Sequence, residues 1–234
     1  MTQYAFFFNQ KRCLGCKTCV IACKEWNESK RGDANLNRAL TEETAGTFDT
    51  PASWGAGARP DTLNGAHSKD ILRRFDAKEN WRRVTFFEFG TKAPNIAIVP
   101  LSIGCNHCSE PACIPVCPVK AISKEDKYGA VRVDSSKCIS CGACRAACPW
   151  NAPQYYKDLQ AEGPRPPMTK CDLCYDRLEK GLKPACVASC PGRAPVEEIL
   201  KLHPNATRTA LGFKQEDVNR TKPNIYFESR ELFF

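Results

Sequence analysis

Residues 138–149 read CISCGACRAACP, four cysteines in eleven residues with a proline directly behind the last. Twenty residues before Cys138, Cys117 closes a run of the same kind, residues 105–118, CNHCSEPACIPVCP, with a wider middle gap. Working outward, Cys13, Cys16, Cys19 and Cys23 form another run near the start. Cys171, Cys174, Cys186 and Cys190, with Pro191 behind, form the last. These four groups of four account for all sixteen cysteines of the 234-residue chain. So many cysteines in a secreted chain would read as a disulfide scaffold. Disulfides, however, give no reason for every group to close C-x-x-x-C, nor for two runs to fit three cysteines into seven residues. The opening MTQYAFFFNQKRC has no basic leader, no long apolar stretch and no small-residue cleavage site, so export on a signal of its own is not expected.

Metal is the stronger reading. C-x-x-C pairs are the usual grammar of zinc, and the last group, with eleven residues between its pairs, is open to a zinc-ribbon reading when taken alone. The compact C-x-x-C-x-x-C-x-x-x-C runs fit zinc poorly, because zinc has no need of the third cysteine on a tight loop. Three thiolates on one loop suit three irons of a single [4Fe–4S] cubane, with the fourth cysteine turned toward another cluster.

Residues 103–153 resemble the two-cluster bacterial ferredoxin throughout: cysteine run, hairpin, second cysteine run. In that family the fourth cysteine of each run serves the other cluster of its pair. The resemblance implies one cluster on Cys105, Cys108, Cys113 and Cys148 and another on Cys117, Cys138, Cys141 and Cys144. Carried to the outer runs, it implies clusters on Cys13, Cys16, Cys19 and Cys190 and on Cys23, Cys171, Cys174 and Cys186. The expected fold class is α+β, two interleaved ferredoxin-like modules with a long loop insertion and four [4Fe–4S] clusters.

Basic residues exceed acidic ones by 34 − 26 = +8, which alone points to nucleic acid or a membrane surface. An oxidised [4Fe–4S] core on four thiolates carries about −2, so four would bring roughly −8 and return the whole to near neutrality. The basic excess is therefore read as counter-charge for clusters, and no nucleic-acid partner is expected. Lys11 and Arg12 before Cys13, Lys137 before Cys138 and Lys170 before Cys171 stand where such charge would act. For each of them a solvated surface position is equally open. No stretch reaches the roughly twenty apolar residues of a membrane span. The best, residues 93–103, is broken by Pro94, Asn95 and Pro100.

Along the chain, Gln3–Phe8 has strand character, and VIACKEWNE after Cys19 starts a short helix carrying Cys23. Gly15 and Gly142 flank the second cysteine of their runs, either letting the backbone approach a cluster or easing a turn. Residues 29–80 read as a long loop, with Phe48 and Trp54 favouring an ordered one that packs on a partner. Trp81–Phe89 and Ile96–Leu101 are expected as paired strands, and residues 195–202 as a short amphipathic helix. The expected division is an outer module of residues 1–28 and 157–200, a partner-facing insertion with strands at 29–102, an inner module at 103–156, and an extended tail at 201–234. His107 either donates to a sulfide or packs, and Trp150 is expected to shield a cluster from water. No Ser/His/Asp constellation, phosphate loop or open metal position stands out. The chain reads as a carrier of single electrons, without a catalytic residue and without a direct small-molecule substrate.

Four such groups, the outer pair interleaved around the inner, look like the electron-transfer (B) subunit of the molybdopterin oxidoreductases. The strings that carry the resemblance are Q-Y-x-F-F at 3–7, C-x-G-C-K-T-C-x-x-A-C-K at 13–24, S-I-G-C-N-H-C-S-E-P-A-C at 102–113, A-C-P-W-N-A-P-Q-Y at 147–155, M-T-K-C-D-L-C-Y-D-R at 168–177, K-P-x-C-V-x-S-C-P at 183–191 and T-K-P-N-I at 221–225. The dimethyl sulfoxide branch of the family is nearest in motif. Where some members carry tryptophan and a three-iron cluster, this chain has Cys141, which implies four-iron clusters throughout. The resemblance implies a large catalytic subunit with molybdenum or tungsten on a bis-pterin, facing the cluster of Cys13, Cys16, Cys19 and Cys190. It implies an integral membrane quinol subunit at the cluster of Cys117, Cys138, Cys141 and Cys144. The chain is then peripheral to the bacterial cytoplasmic membrane through its partners, with the periplasmic face by co-export favoured over the cytoplasmic one. The alternative is a free-standing polyferredoxin or a hydrogenase-type subunit, against which the long 29–80 loop and the basic balance speak.

Overall fold

A computed structural model describes residues 3–27, 80–92, 95–155, 167–190, 207–208 and 213–228. Its elements run β1 (Phe6–Asn9), α1 (Thr18–Trp26), β2 (Arg83–Lys92), β3 (Asn95–Ile103), β4 (Ile122–Lys124) and β5 (Val131–Val133). Short helices follow, α2 (Ala143–Ala147), α3 (Tyr175–Glu179), α4 (Ala185–Ala188) and α5 (Gln215–Thr221), and then strand β6 (Ile225–Glu228). The mixture is α+β, with the described strands paired in three two-stranded sheets. Residues 29–79 of the loop expected at 29–80, and the helix expected at 195–202, lie outside the described residues.

The strand expected at Gln3–Phe8 runs from Phe6 to Asn9 and pairs in parallel with β6, Phe6 opposite Ile225 and Asn9 opposite Glu228. All four β1 residues are buried, and a strand covered on both faces needs a continuous apolar run instead of alternation. Ahead of it, the Tyr4 N–H donates to the Tyr128 carbonyl at 3.0 Å and ties the segment to the β4–β5 turn.

β2 and β3 pair antiparallel, as expected, Arg83 opposite Ile103 and Phe89 opposite Ala97. Arg83, Thr85, Val99, Leu101 and Ile103 are buried, whereas Ile98 is exposed. Pro100 has no N–H to offer a further strand, and a two-stranded sheet asks for none. β4 and β5 form the hairpin between the two middle cysteine runs, Ile122 opposite Val133.

Residues 213–228 correct the extended tail expected over 201–234. Glu216 and Asp217 sit in the first turn of α5, where carboxylates favour the positive helix end. Asp217, Val218 and Thr221 form its buried face, and Pro223 stands where the helix has stopped. Beyond it β6 docks on β1. Phe213 then joins an aromatic line: Trp150 to Phe213 at 4.4 Å between ring centroids, Phe213 to Phe227 at 5.3 Å, Phe227 to Phe8 at 6.1 Å. Buried cysteines belong to the same core cluster as these rings.

Candidate metal centres

The four cysteine runs share one backbone device. The residue before the second cysteine has positive φ in each: Gly15 (67°), His107 (43°), Ser140 (58°) and Leu173 (67°). A left-handed residue there turns successive N–H groups to the concave side of the loop, a nest that favours anionic groups. Glycine adopts this freely, whereas His107, Ser140 and Leu173 hold it at about 1–2 kcal/mol each. Gly15 has a second reason, since a Cβ there would lie 2.4 Å from the Phe86 ring. Lys17 (60°) and Gly142 (81°), directly behind the second cysteine, are left-handed too and open α1 and α2. Both flanks of that cysteine therefore need the turn, and glycine fills one flank in each of the two compact runs.

The thiols gather in groups. Cys105, Cys108, Cys113 and Cys148 line one cavity, with Trp150 and Lys170 in its wall. Cys117, Cys138, Cys141 and Cys144 line another, with Tyr155 and Met168. Cys13, Cys16, Cys19 and Cys190 line a third, where Cys186 also contributes. Cys23, Cys171, Cys174 and Cys186 are all buried. The Asn27 amide lies 3.8 Å from the sulfurs of both Cys23 and Cys174. Cys171 feels the charge of Cys23 and Cys174, and Cys174 that of Cys186. In three of the groups the thiols border a shared space; among the described residues no three His, Cys, Asp or Glu side chains meet at one ion-sized point.

Neighbouring groups also sense one another: Cys19 feels Cys186, Cys171 feels Cys105, and Cys113 feels Cys144. The groups thus follow in a row, led by Cys13, then Cys23, then Cys105, then Cys117.

Burial pushes the Cys113 thiol up to about 12, against the pull of Lys170, and the Cys148 thiol up to about 11, against the Ala152 N–H. Exposed Cys16 goes the other way, held below the ordinary thiol value by the Thr18 hydroxyl at 3.3 Å and then by the Thr18 N–H. Thiols kept protonated by burial become ligands by giving their protons up to a metal. Donors stand ready for the resulting thiolates. The N–H of Ala121 donates to Cys117 at 3.2 Å, that of Met168 to Cys138 at 3.4 Å, and that of Leu173 to Cys171 at 3.4 Å. The hydroxyls of Ser102 and Tyr155 lie 3.4 Å and 3.5 Å from the sulfurs of Cys19 and Cys144.

His107 is buried, and its Nδ1 accepts the Val131 N–H at 3.0 Å. Burial, then Lys170, Lys124 and Arg82, lowers its pKa, so the ring is neutral with its proton on Nε2. That buried N–H has no partner among the described residues. Trp150 is 1% exposed and donates through its indole N–H to the Thr221 hydroxyl at 3.2 Å.

Of the lysines proposed as counter-charge, Lys11 and Lys137 are half or more exposed and pair with Glu228 at 3.5 Å and Asp134 at 3.1 Å. Lys170 is buried, donating to the carbonyls of Val131 and Cys171. Two further buried cations escape a reading of the sequence. Arg82 lies 4.7 Å over the Phe6 ring and donates to the Ser102 hydroxyl at 3.2 Å. Arg83 donates to the Trp150 and Asn151 carbonyls at 2.9 and 3.1 Å, bracing the loop behind Cys148. Neither gives a signal in the sequence: Arg82 lies outside the strand, and Arg83 opens β2 where a solvated cation is common.

Thiols grouped about cavities, with backbone donors and buried cations behind them, define the chain as an iron–sulfur protein of the ferredoxin kind. Residues 96–196 match the model of a 4Fe-4S dicluster domain, and residues 10–26 that of a 4Fe-4S binding domain. The chain is similar to the B subunit of anaerobic dimethyl sulfoxide reductase of Escherichia coli, 36% identical over 228 residues, which cover 96% of this chain and 87% of that one. It is similar to the B subunit of sulfite dehydrogenase of Allochromatium vinosum, 35% identical over 201 residues, 83% of this chain and 68% of that one. The formate dehydrogenase iron–sulfur subunit of Haemophilus influenzae is 33% identical over 179 residues, 76% of this chain and 46% of its own length. This protein belongs to the family of iron–sulfur B subunits of oxidoreductases that includes the one of anaerobic dimethyl sulfoxide reductase.

Proposed function

We propose that this chain relays single electrons through four [4Fe–4S] clusters between a molybdenum or tungsten bis-pterin catalytic subunit and a quinone-linked membrane subunit. The ligand sets are Cys13, Cys16, Cys19 and Cys190; Cys23, Cys171, Cys174 and Cys186; Cys105, Cys108, Cys113 and Cys148; and Cys117, Cys138, Cys141 and Cys144. The outer two sets belong to a module of residues 1–28 and 157–200, interleaved with an inner module of residues 103–156. The observation that carries this reading is the row of four thiol groups, buried in its middle and open at its ends.

When bound, a [4Fe–4S] cluster takes up or gives up one electron. The chain's own residues bind and insulate it. Cysteine sulfurs, and the N–H groups of Ala121, Met168 and Leu173 aimed at them, supply ligands and charge-assisted hydrogen bonds. The unpartnered Nε2–H of His107 supports a hydrogen bond to the group held beside it. Trp150 and Met168, each 1% exposed, exclude water from their cavities.

At the two ends of the row the chemistry of the surface changes. Leu14 behind Cys13 is 77% exposed, and Ile139 behind Cys138 is 60% exposed, the same motif position in the first and last groups. Apolar side chains left in water beside an end group support docking of one partner at each end. Relatives named for a sulfoxide, sulfite and formate are 33–36% identical to this chain, which supports a common carrier with substrate choice on the catalytic partner. Among the described residues no helix is long and apolar enough to cross a membrane, and we assign membrane attachment to the partners, on the periplasmic face.

Anaerobic purification from the native host, with metal analysis of whatever co-purifies, tests the reading. Roughly sixteen irons per chain and a large companion carrying molybdenum or tungsten are expected. Zinc in place of iron, or iron for fewer than four clusters, would overturn it.

A further inference from the structure

We propose that Arg82 and Lys170 are shared counter-charges, one at each of two junctions in the row, which raise the electron affinity of the sites on either side. The inference rests on the four-cluster reading above and adds to it which sites carry the charge.

Lys170 is 3% exposed, and its ammonium is held by two carbonyls, those of Val131 and Cys171. It stands in the wall of the cavity lined by Cys105, Cys108, Cys113 and Cys148, while the next residue in the chain, Cys171, belongs to the preceding group. Two neutral acceptors do not balance a desolvated cation. Its cavity belongs to the Cys105 group, and its second carbonyl to Cys171 of the preceding group. With clusters bound, the anions on either side of Lys170 are therefore the ligand thiolates of two successive groups.

Arg82 repeats the arrangement one junction earlier. It lines the cavity of Cys13, Cys16, Cys19 and Cys190, and its bond to Ser102 reaches the hydroxyl that lies 3.4 Å from the Cys19 sulfur. Cys186, a member of the next group, lines that cavity too, so Arg82 borders thiols of two groups. Arg83 donates to the carbonyls of Trp150 and Asn151, in the loop behind Cys148. Among the described residues Arg82, Arg83 and Lys170 are the only buried lysines and arginines, and none of the three lines the cavity of Cys117, Cys138, Cys141 and Cys144.

A cation between two sites favours the added electron on both. The Cys23 group, between Arg82 and Lys170, feels both; the Cys13 and Cys105 groups feel one each; the Cys117 group feels neither. This pattern is readable without assigning signals to sites. The experiment is an EPR-monitored redox titration of the intact complex carrying Lys170→Met or Arg82→Met. Each substitution is expected to move two sites to more reducing potentials, lowering the reduced-to-oxidised ratio at fixed poise at least tenfold, about 59 mV for a one-electron couple. One site moves in both variants, and one moves in neither. Lys170→Arg restores the two sites that Lys170→Met displaces. Should Lys170→Met lose its iron, Lys170→Gln, which keeps N–H donors without the charge, takes its place in the titration. Four sites moving equally, no site moving, or Lys170→Arg moving them as far as Lys170→Met overturns the proposal. Fewer than four titrating centres in the unaltered protein overturns the reading beneath it, a separate failure.

Discussion

Of the eight cysteines in the two middle groups of the row, seven are buried, Cys113 being half-buried; of the eight in the two end groups, only Cys144 is buried. The contrast follows from what surrounds them. Middle thiols lie where distant elements close on one another, with Trp81, Leu101, Ile103 and Trp150 in the same cluster. End thiols lie on loops whose outer rim is exposed, at Cys16 and Leu14 on one side and Cys141 and Ile139 on the other. A group sealed from water is suited to handing charge only to its neighbours in the row. A group with an open edge is suited to exchange with another molecule. Under the proposed relay, this difference in burial fits exchange at the two ends and transfer within the middle.

Stripping the iron should break this contrast most completely. Without metal the apolar cluster in the middle of the molecule is interrupted by buried thiols, and no cooperative melting transition is expected by calorimetry. Iron-free protein that still melted cooperatively would show that the middle is held by packing alone. Single ligands come next. Cys171→Ser, in the buried middle, should drop iron by well over the roughly four atoms of one cluster and leave insoluble protein. Cys141→Ser, at an open end, should cost only about those four and keep the remaining spectrum; equal losses from the two variants would erase the distinction. Packing residues give a smaller effect. Trp150→Ala is expected to destabilise by about 3–5 kcal/mol, whereas Ile139→Ala stays within about 0.5 kcal/mol, both read from anaerobic denaturant midpoints. The smallest shift belongs to Tyr155→Phe, which removes the hydroxyl 3.5 Å from the Cys144 sulfur. A hydrogen bond worth about 0.5–1.5 kcal/mol corresponds to a potential about 20–65 mV lower at that end site alone. A shift at any middle site would place Tyr155 in the wrong group.

Much of the candidate site is legible in the cysteine spacing, because a tight C-x-x-C-x-x-C loop leaves its backbone few conformations. The paired strands β2 and β3 are legible too, from the aromatic and β-branched residues of their runs. The counter-charges are not. Lys11, Lys137 and Lys170 look alike in sequence, a cation one or two residues ahead of a first cysteine, yet only Lys170 is buried. The difference lies in the Val131 carbonyl of the β4–β5 hairpin, 39 residues away, which receives its ammonium. Arg82 and Arg83 would pass for a solvated pair at the mouth of a strand. Their burial depends on segments around Cys19 and Trp150 that only the closed fold brings together. The left-handed residue before each second cysteine is visible at Gly15 but hidden at His107, Ser140 and Leu173, where strain takes the place of glycine. The end of the described chain misleads for a similar reason: β6 finds its partner by pairing across the whole molecule, not in its own neighbours.

That pairing bears on how the protein is made. Asn9 of β1 and Glu228 of β6 meet across 219 positions, so the strand that leaves the ribosome early stays single until almost everything else has been synthesised. Until β6 arrives, β1 lacks its strand partner. Once β6 is in place, Phe6, Phe8, Phe213 and Phe227 pack in one cluster. Among the described strands the last one is thus the latch: the core shuts only when synthesis is nearly over.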